Sequence, residues 1–379
     1  MLKRTEESKL TNWYFETDRR LLLYVLILIF IGVIFGVSAG SVAAERIGQS
    51  WNYFILKAIP FYIGGIATLV IFSTFNRKMV LGMSLLDVAF CLVLLLVTLI
   101  APHEIKGSAR FVDLMFFNVM PSDAMKPGFI ILTAWFLAKM RELYGENMFL
   151  TKTAWRPKLF SWWTYLAIFI PAVLIILNHP DLGTAVLYCT VLCAMLFVAG
   201  LPMSVVLGLV ALVGVIGVFA FFTMSHVHNR FMAFFTGTGD TYQVTQSVQA
   251  IQHGGLLGSG DEAFVKQSLP DAHTDFIFAA IAEDWGALVA CVIIVLLLLV
   301  LKRLIVNASN ARDRFVAYAA GGTAALFGAQ VCINLMSTLN LFPPKGMTLP
   351  FISYGGTSLL AFCALFGMIL ALVREDKWK

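Results

Sequence analysis

Charge is what this sequence has least of. Only 13% of its 379 residues are Asp, Glu, Lys or Arg, while 59% are hydrophobic. A water-soluble domain carries roughly a quarter charged residues. Too little polar side chain is present to clothe a surface in water, and the mean hydropathy of +0.84 leaves the bilayer as the solvent. Cysteine is also sparse. Cys91, Cys189, Cys193, Cys291, Cys332 and Cys363 all lie in apolar runs with no CxxC pair, which argues against a structural zinc or a disulfide framework. Cys189 and Cys193 share a helix face, where a disulfide would have poor geometry. The glycine run at 254–260 lacks the GK[ST] of a phosphate-binding P-loop. No short signal peptide precedes the first apolar run, which is long enough to stay in a membrane.

What the chain has in abundance is long apolar runs. Crossing ~30 Å of hydrocarbon takes ~20 residues of helix. Runs at 21–44, 51–75, 79–101, 127–144, 160–178, 183–200, 202–224, 274–301, 315–337 and 357–373 predict an all-α polytopic protein of about ten membrane helices. Residues 1–379 read as one domain, with a tail at 1–20, a long loop at 225–273 between the seventh and eighth helices, and a re-entrant-like loop at 338–356. With the N-terminus inside, nineteen Lys and Arg fall on the inner side and seven on the outer, with Lys57 within a span. The positive-inside rule then puts both termini in the cytoplasm and the two long loops outside. The basic, aromatic stretch KMRELYGENMFLTKTAWRPK at 139–158 reads as an interfacial anchor facing anionic headgroups. Nothing in this charge distribution suggests a nucleic-acid partner.

The unusual residues collect in the outer loops. Between 102 and 126 stand Lys106, Arg110 and Lys126 beside Glu104, Asp113 and Asp123, cations where the positive-inside rule disfavours them. A diphosphate or carboxylate ligand would account for that. Pro127 suits the first turn of a helix that Ser122 or Asp123 can cap. In NHPDLGT (178–184), Asp181 is adequately explained as a helix cap. His226 and His228 have no third metal ligand spaced nearby. In GDTYQVTQSVQAIQHGGLLGSGDEAFVKQSLP (239–270), Gly254, Gly255, Gly258 and Gly260 suggest a helix ending in a glycine-rich turn, which fits close backbone approach better than a nucleotide. In STLNLFPPKGMTLPFISYGGTS (337–358), Pro343, Pro344 and Pro350 forbid a helix. Broken backbone at membrane depth persists only where it is buried in protein or lines a cavity, so Lys345 there is a functional candidate. Residues 269–286, LPDAHTDFIFAAIAEDWG, set Asp275 at the mouth of a span, with Thr274 or Asp275 opening the helix. On a regular helix from 275, Glu283 would stand ~80° and Asp284 ~180° round from Asp275, with Glu283 on the bundle side.

Taken together, PSDAMK, HPDLGT, YQVTQSVQAIQHGGLLGSG, LPDAHTDFIFA with AEDWG, and KGMTLPFISYGGTS resemble the SEDS (FtsW/RodA) family of cell-wall polymerases, from about residue 20 to 373. The Lys345-Gly346 pair followed by Thr348-Leu349-Pro350 is more similar to the division branch of that family than to its elongation branch. The resemblance implies a ten-span glycosyltransferase of the bacterial inner membrane, at the division septum, that polymerises lipid II, the undecaprenyl-diphosphate-linked disaccharide-pentapeptide. It implies a class B penicillin-binding protein and other divisome membrane proteins as partners. The family's catalytic aspartate falls on Asp275. Its other motif positions fall on Arg110, Asp123, Lys126 and Lys345, joined by Gln246 as candidate substrate contacts, and on Asp181, which with Glu283 is a secondary, structural candidate. Met120, Asp123, His179 and Thr357 depart from the family's usual residues, and a shorter carboxylate at 123 retracts its charge by about one methylene.

For glycosyl transfer from a lipid diphosphate, a sugar hydroxyl attacks an anomeric carbon as the diphosphate leaves. That chemistry needs a base, for which Asp275 is the candidate, and positive charge, for which Arg110, Lys126 and Lys345 are candidates. No cofactor is required, although Mg²⁺ or Mn²⁺ bridging a carboxylate and the diphosphate would suit it. A single base predicts one displacement with inversion. The alternatives are a lipid II flippase or permease, which also needs a polytopic bundle with intramembrane carboxylates, a scaffold for division partners, and the elongation-type polymerase. Against transport stands the clustering of polar residues on the outer side alone.

Overall fold

In hydrocarbon a backbone N–H or C=O finds no water, so an apolar run of this length closes its hydrogen bonds within itself as a helix. The computed structural model describes residues 9–100, 111–113, 118–179, 181–225, 228–229, 231–232 and 242–376. After the short α1 (Lys9–Glu16), a helix covers each of the ten apolar runs. These are α2 (Arg19–Arg46), α3 (Tyr53–Ser73), α4 (Arg77–Ile100), α6 (Lys126–Tyr144), α7 (Trp162–Asn178), α8 (Leu182–Val198), α9 (Met203–Thr223), α12 (Ile277–Asn310), α13 (Arg314–Thr338) and α14 (Gly356–Asp376). Seven of them (α2, α3, α4, α9, α12, α13 and α14) are long and apolar enough to cross a membrane. The helices α7 and α8 are apolar but have 17 residues each, and the 19 residues of α6 include four charges.

Shorter helices between these spans include α5 (Pro121–Ala124), α10 (Tyr242–Gly254) and α11 (Val265–Ser268). The segment before α5, expected as plain loop, contains a two-stranded antiparallel pairing of β1 (Val112–Asp113) with β2 (Asn118–Val119), Val112 opposite Val119.

Two expected helix starts are corrected. Neither Ser122 nor Asp123 caps α6. Both lie inside α5, and the cap position, Met125, has no side-chain bond. The first turn of α6 is instead served from α4, where Asp87 Oδ2 accepts from the Gly128 N–H at 2.9 Å. Likewise α12 begins at Ile277, two residues beyond Asp275, and its cap position Phe276 has no side-chain bond. Thr274 donates to the Asp271 carbonyl at 3.2 Å within a turn. The 80° and 180° helical offsets from Asp275 therefore do not apply. Other caps follow the sequence, and Asp181 Oδ1 accepts from the Thr184 N–H at 3.2 Å at the start of α8.

The bundle is centred on α14 and α13, whose membrane windows are 78% and 61% buried, while none of the α9 window is. α14 packs on α3, and α13 lies against α12, α6 and α8. The irregular segment 339–355 is wedged between these central helices and α2. A Cβ at Gly32 would stand 2.6 Å from the Phe351 carbonyl oxygen, so only glycine lets α2 come this close. Phe351 adopts a left-handed backbone, φ 66°, which costs a non-glycine residue about 1–2 kcal/mol. Its ring is 2% exposed and meets Phe327, Phe362 and Phe366, the last at 5.0 Å between centroids. Burying a phenylalanine contributes about 1.5–3 kcal/mol, enough to offset the backbone.

The end of the bundle opposite Asp275 is tied by carboxylates. Asp18 accepts from Arg303 Nε at 2.7 Å and Asn307 Nδ2 at 2.8 Å. Asp376 accepts the backbone N–H groups of Arg312 and Asp313 at 2.8 and 2.9 Å. All six cysteines are free thiols, with Cys91 and Cys363 buried.

Candidate functional site at the Asp275 turn

Residues 270–276 form a turn between α11 and α12 in which Asp275 is half-buried. The turn is fixed by backbone conformation and by its neighbours. Asp271 takes a positive φ of 52°, and the Tyr354 N–H donates to the His273 carbonyl at 2.9 Å. The Lys345-Gly346 corner of the irregular segment closes over Asp275, since a Cβ at Gly346 would lie 3.4 Å from Asp275 Oδ2. Gly346 has φ 64°, a second reason for glycine there. The Lys345 side chain runs across the first turn of α8, its Cδ 3.3 Å from where a Cβ at Gly183 would be. Asp275, Lys345 and the Asp181 turn, about 165 residues apart at the extremes, are thus neighbours, linked through two glycines.

Two amides of α13 hold this corner. Asn334 Nδ2 donates to the Asp275 carbonyl at 2.8 Å and to the Met347 carbonyl at 2.6 Å. One turn earlier, Gln330 Nε2 donates to the Thr348 carbonyl at 3.0 Å and its Oε1 accepts from Lys126 Nζ at 2.7 Å. Lys126 is 3% exposed and also pairs with Asp123 Oδ1 at 2.7 Å. Its ammonium is therefore engaged inside the protein, and the Asp123–Lys126 pair acts on the site through Gln330 and Thr348. Residues four apart share a helix face, so Gln330 and Asn334 staple successive residues of the segment to one stripe of α13.

Glu283 is fully buried. Its Oε1 accepts from the Val265 N–H at 2.8 Å and from His253 Nδ1 at 3.0 Å, and its Oε2 accepts from the Lys266 N–H at 2.6 Å. Asp284 accepts from Lys266 Nζ at 2.5 Å and from Ser38 Oγ at 2.7 Å, tying α12 to α2. Just beyond, α12 breaks at Gly286, φ 81°. The glycine-rich turn after α10 fits into this break. The Ser259 N–H donates to the Glu283 carbonyl at 2.8 Å, and the Ala287 N–H donates to the Gly255 carbonyl at 2.9 Å. Side chains at Gly254 or Gly258 would fall 2.0 and 2.3 Å from the carbonyl oxygens of Ala282 and Asp284.

Gln246 faces Ser268, whose Oγ donates to its Oε1 at 2.6 Å, which fastens α10 to α11. Arg110, Lys106 and His226 lie outside the described residues. Among the described residues no three His, Cys, Asp or Glu side chains are grouped to hold a metal. A small apolar crevice of about 30 Å³ between α2 and α3, walled by Val33, Gly36, Phe54 and Tyr62, ends at His273 and Tyr354.

Sequence reading passed over Gln330, Asn334 and Asp87, each a polar residue inside an apolar run. That placement was itself the signal, because a polar side chain in a membrane span is kept only with a partner. Arg46 was counted only as an outer charge. It donates from NH1 to the Leu269 carbonyl at 3.0 Å and from Nε to the Gln267 carbonyl at 2.6 Å, anchoring the approach to the Asp275 turn.

A family model describing cell cycle proteins of the FtsW/RodA/SpoVE type matches residues 19–378. The chain is 34% identical over 377 residues to a probable peptidoglycan glycosyltransferase FtsW of Caulobacter vibrioides, covering 98% of this chain and 93% of that one. It is 33% identical over 381 residues to the protein of the same name from Thiomicrospira cyclica, covering 95% and 92%. Among solved structures it is similar to a chain of a peptidoglycan synthase complex that coordinates polymerization and crosslinking, with a TM-score of 0.75, 24% identity and coverage of 96% and 99%. It is also similar to the rod shape determining protein RodA of Thermus thermophilus, with a TM-score of 0.67, 24% identity and coverage of 95% and 97%. The two structures share its fold.

Proposed function

The chain belongs to the FtsW/RodA/SpoVE family of cell cycle proteins, and from that premise we propose that it is a peptidoglycan glycosyltransferase polymerising lipid II into glycan strands. The observation that carries this reading is the meeting of a half-buried carboxylate, Asp275, with the Lys345-Gly346 corner at one end of a membrane bundle. In the reaction, an acceptor sugar hydroxyl attacks the anomeric carbon of a second lipid-linked sugar. The new C–O bond forms as the bond to the diphosphate breaks, and the hydroxyl proton passes to Asp275. Lys345, in the corner that closes over that acid, is suited to the charge building on the departing diphosphate. One carboxylate acting as base supports a single displacement with inversion. Asn334 and Gln330 act as positioning residues, holding the backbone of the acid and of the facing segment at Met347 and Thr348, and the Asp123–Lys126 pair buttresses Gln330. Gln246 belongs to the wall of the outer loop, and Arg110 joins the diphosphate-binding set on the sequence resemblance.

The names of the relatives favour the septal branch, and the excess of Lys and Arg on one side favours a cytoplasmic-membrane location with both termini inside. Similarity to a chain of a peptidoglycan synthase complex that coordinates polymerization and crosslinking favours a crosslinking partner such as a class B penicillin-binding protein, alongside other divisome membrane proteins. A transport reading gains no observation of its own. The test is to reconstitute the purified chain with its partner synthase, supply lipid II and resolve the products by length. Glycan strands from the parent and none from Asp275→Asn support the proposal; full polymerisation by Asp275→Asn overturns the role of that acid, and lipid movement across vesicles without polymer overturns the reaction.

A further inference from the structure

The end of the bundle opposite Asp275 carries a cleft of about 730 Å³, of the size that holds small ligands and remote from the reaction described above. It lies where the start of α4, the end of α6 and the residues leading into α13 meet. Its charged lining is Arg77, Lys139, Arg312 and Arg314 against Glu142 and Asp313, with Trp135 in the wall. Four cations against two carboxylates leave a net positive site. The carboxylates are already committed, Asp313 to Arg77 and Glu142 to Lys139 at 2.9 Å. The helix N-termini here are also served from within, because Asp313 accepts from the Phe315 N–H at 2.9 Å and Glu375 accepts from the Arg77 N–H at 3.0 Å. Attraction for an added anion therefore falls to the exposed guanidinium groups of Arg312 and Arg314, whose forked donors match phosphate oxygens.

We propose that this cleft binds the phosphate of an anionic phospholipid headgroup, with Arg312 and Arg314 as its principal contacts. Phosphate alone would also suit the arginines. The lipid source is favoured by the surroundings, because Leu143, one turn beyond the lining residue Lys139 and on the same helix face, is 52% exposed. Apolar side chains at the rim of a charged cleft suit acyl chains running from a headgroup, and an indole in the wall is characteristic of the membrane interface. A basic pocket between helices at this level is a recognised physical solution for acidic lipid headgroups.

The experiment uses the full chain in nanodiscs of phosphatidylcholine containing a minor fraction of phosphatidylglycerol or cardiolipin. Lipids retained after extraction are counted by native mass spectrometry, for the parent and for the Arg312→Gln/Arg314→Gln double variant. At roughly fivefold per arginine near a membrane surface, the double substitution should weaken anionic-lipid retention about 30-fold. Retention of phosphatidylcholine and the unfolding temperature should stay unchanged, which guards against misfolding. A second arm adds inorganic phosphate to protein in phosphatidylcholine alone and should give no thermal stabilisation. Equal anionic-lipid retention by parent and double variant overturns the proposal. So does stabilisation by inorganic phosphate without selective lipid retention, which would make the cleft a site for a soluble anion.

Discussion

The Asp275 turn and the Glu283 break are neighbours in one segment, yet they treat a carboxylate in opposite ways. Glu283 is fully buried, and its two oxygens take two backbone N–H groups and an imidazole. Asp275 is half-buried in a turn, and it is its backbone carbonyl, not its carboxylate, that Asn334 grips. The bonds to Glu283 join backbone segments across the interior and build structure. The bond from Asn334 sets the main chain of an acid whose side chain lies beside the Lys345-Gly346 corner.

The sharpest way to break that contrast is Asp275→Asn. A general base contributes about 10²–10⁴-fold, so polymerisation should fall by at least about 100-fold while the unfolding temperature in detergent stays at the parental value. Glu283→Ala should do the reverse and act on the fold. It strands the Val265 and Lys266 N–H groups in the interior, and losses of about 3 kcal/mol are expected when a buried hydrogen-bonded charge is removed. A large drop in the unfolding temperature, measured alongside activity per folded molecule, checks this. If Glu283→Ala were stable but inactive, the two acids would have to exchange roles. Asn334→Leu sharpens the comparison from the side of the main chain. With the Asp275 and Met347 carbonyls released, kcat should fall about tenfold, with the pH profile of the base kept and KM little changed. An altered pH profile would mean that Asn334 acts on the carboxylate directly.

The smallest effect is expected at the far end of the molecule. Burial alone would raise the Asp18 carboxyl, but the bonds from Arg303 and Asn307 outweigh it and hold the group below its ordinary value. Its folded pKa is depressed, so the ion contributes stability that is present above about pH 4 and is lost as pH falls through the lowered folded value. Asp18→Asn should cost about 1 kcal/mol at neutral pH and flatten the acid limb of the stability curve. An unchanged acid limb would show that this carboxylate does not set it.

Most of the architecture was legible in the sequence because hydrocarbon permits so few backbone solutions. A run such as 315–337 has little choice but to become α13. Boundaries near polar residues were harder. Thr274 and Asp275 resemble a helix start, yet tertiary bonds from Tyr354 and Asn334 hold them in a turn, and no local rule reports a partner more than fifty residues away. Lys126 illustrates the same limit. Its charge on the outer side suggested a ligand, and only the folded chain reveals that Gln330 and Asp123 already take its hydrogen bonds. The glycine run was read correctly as a sign of close backbone approach, while its target, the break at Gly286, was hidden because an isolated glycine in an apolar span carries no directional information.

That seam between the glycine turn and α12 has a mechanical consequence. Most contacts between segments pass through side chains, which can rotate and absorb displacement. At 254–260 against 282–288 the two main chains are bolted together through N–H···O links with no cushioning layer between them. A push on the outer loop at Leu256 and Leu257 would therefore be delivered undamped to the kink of α12 at Gly286, eleven residues from the acid at 275.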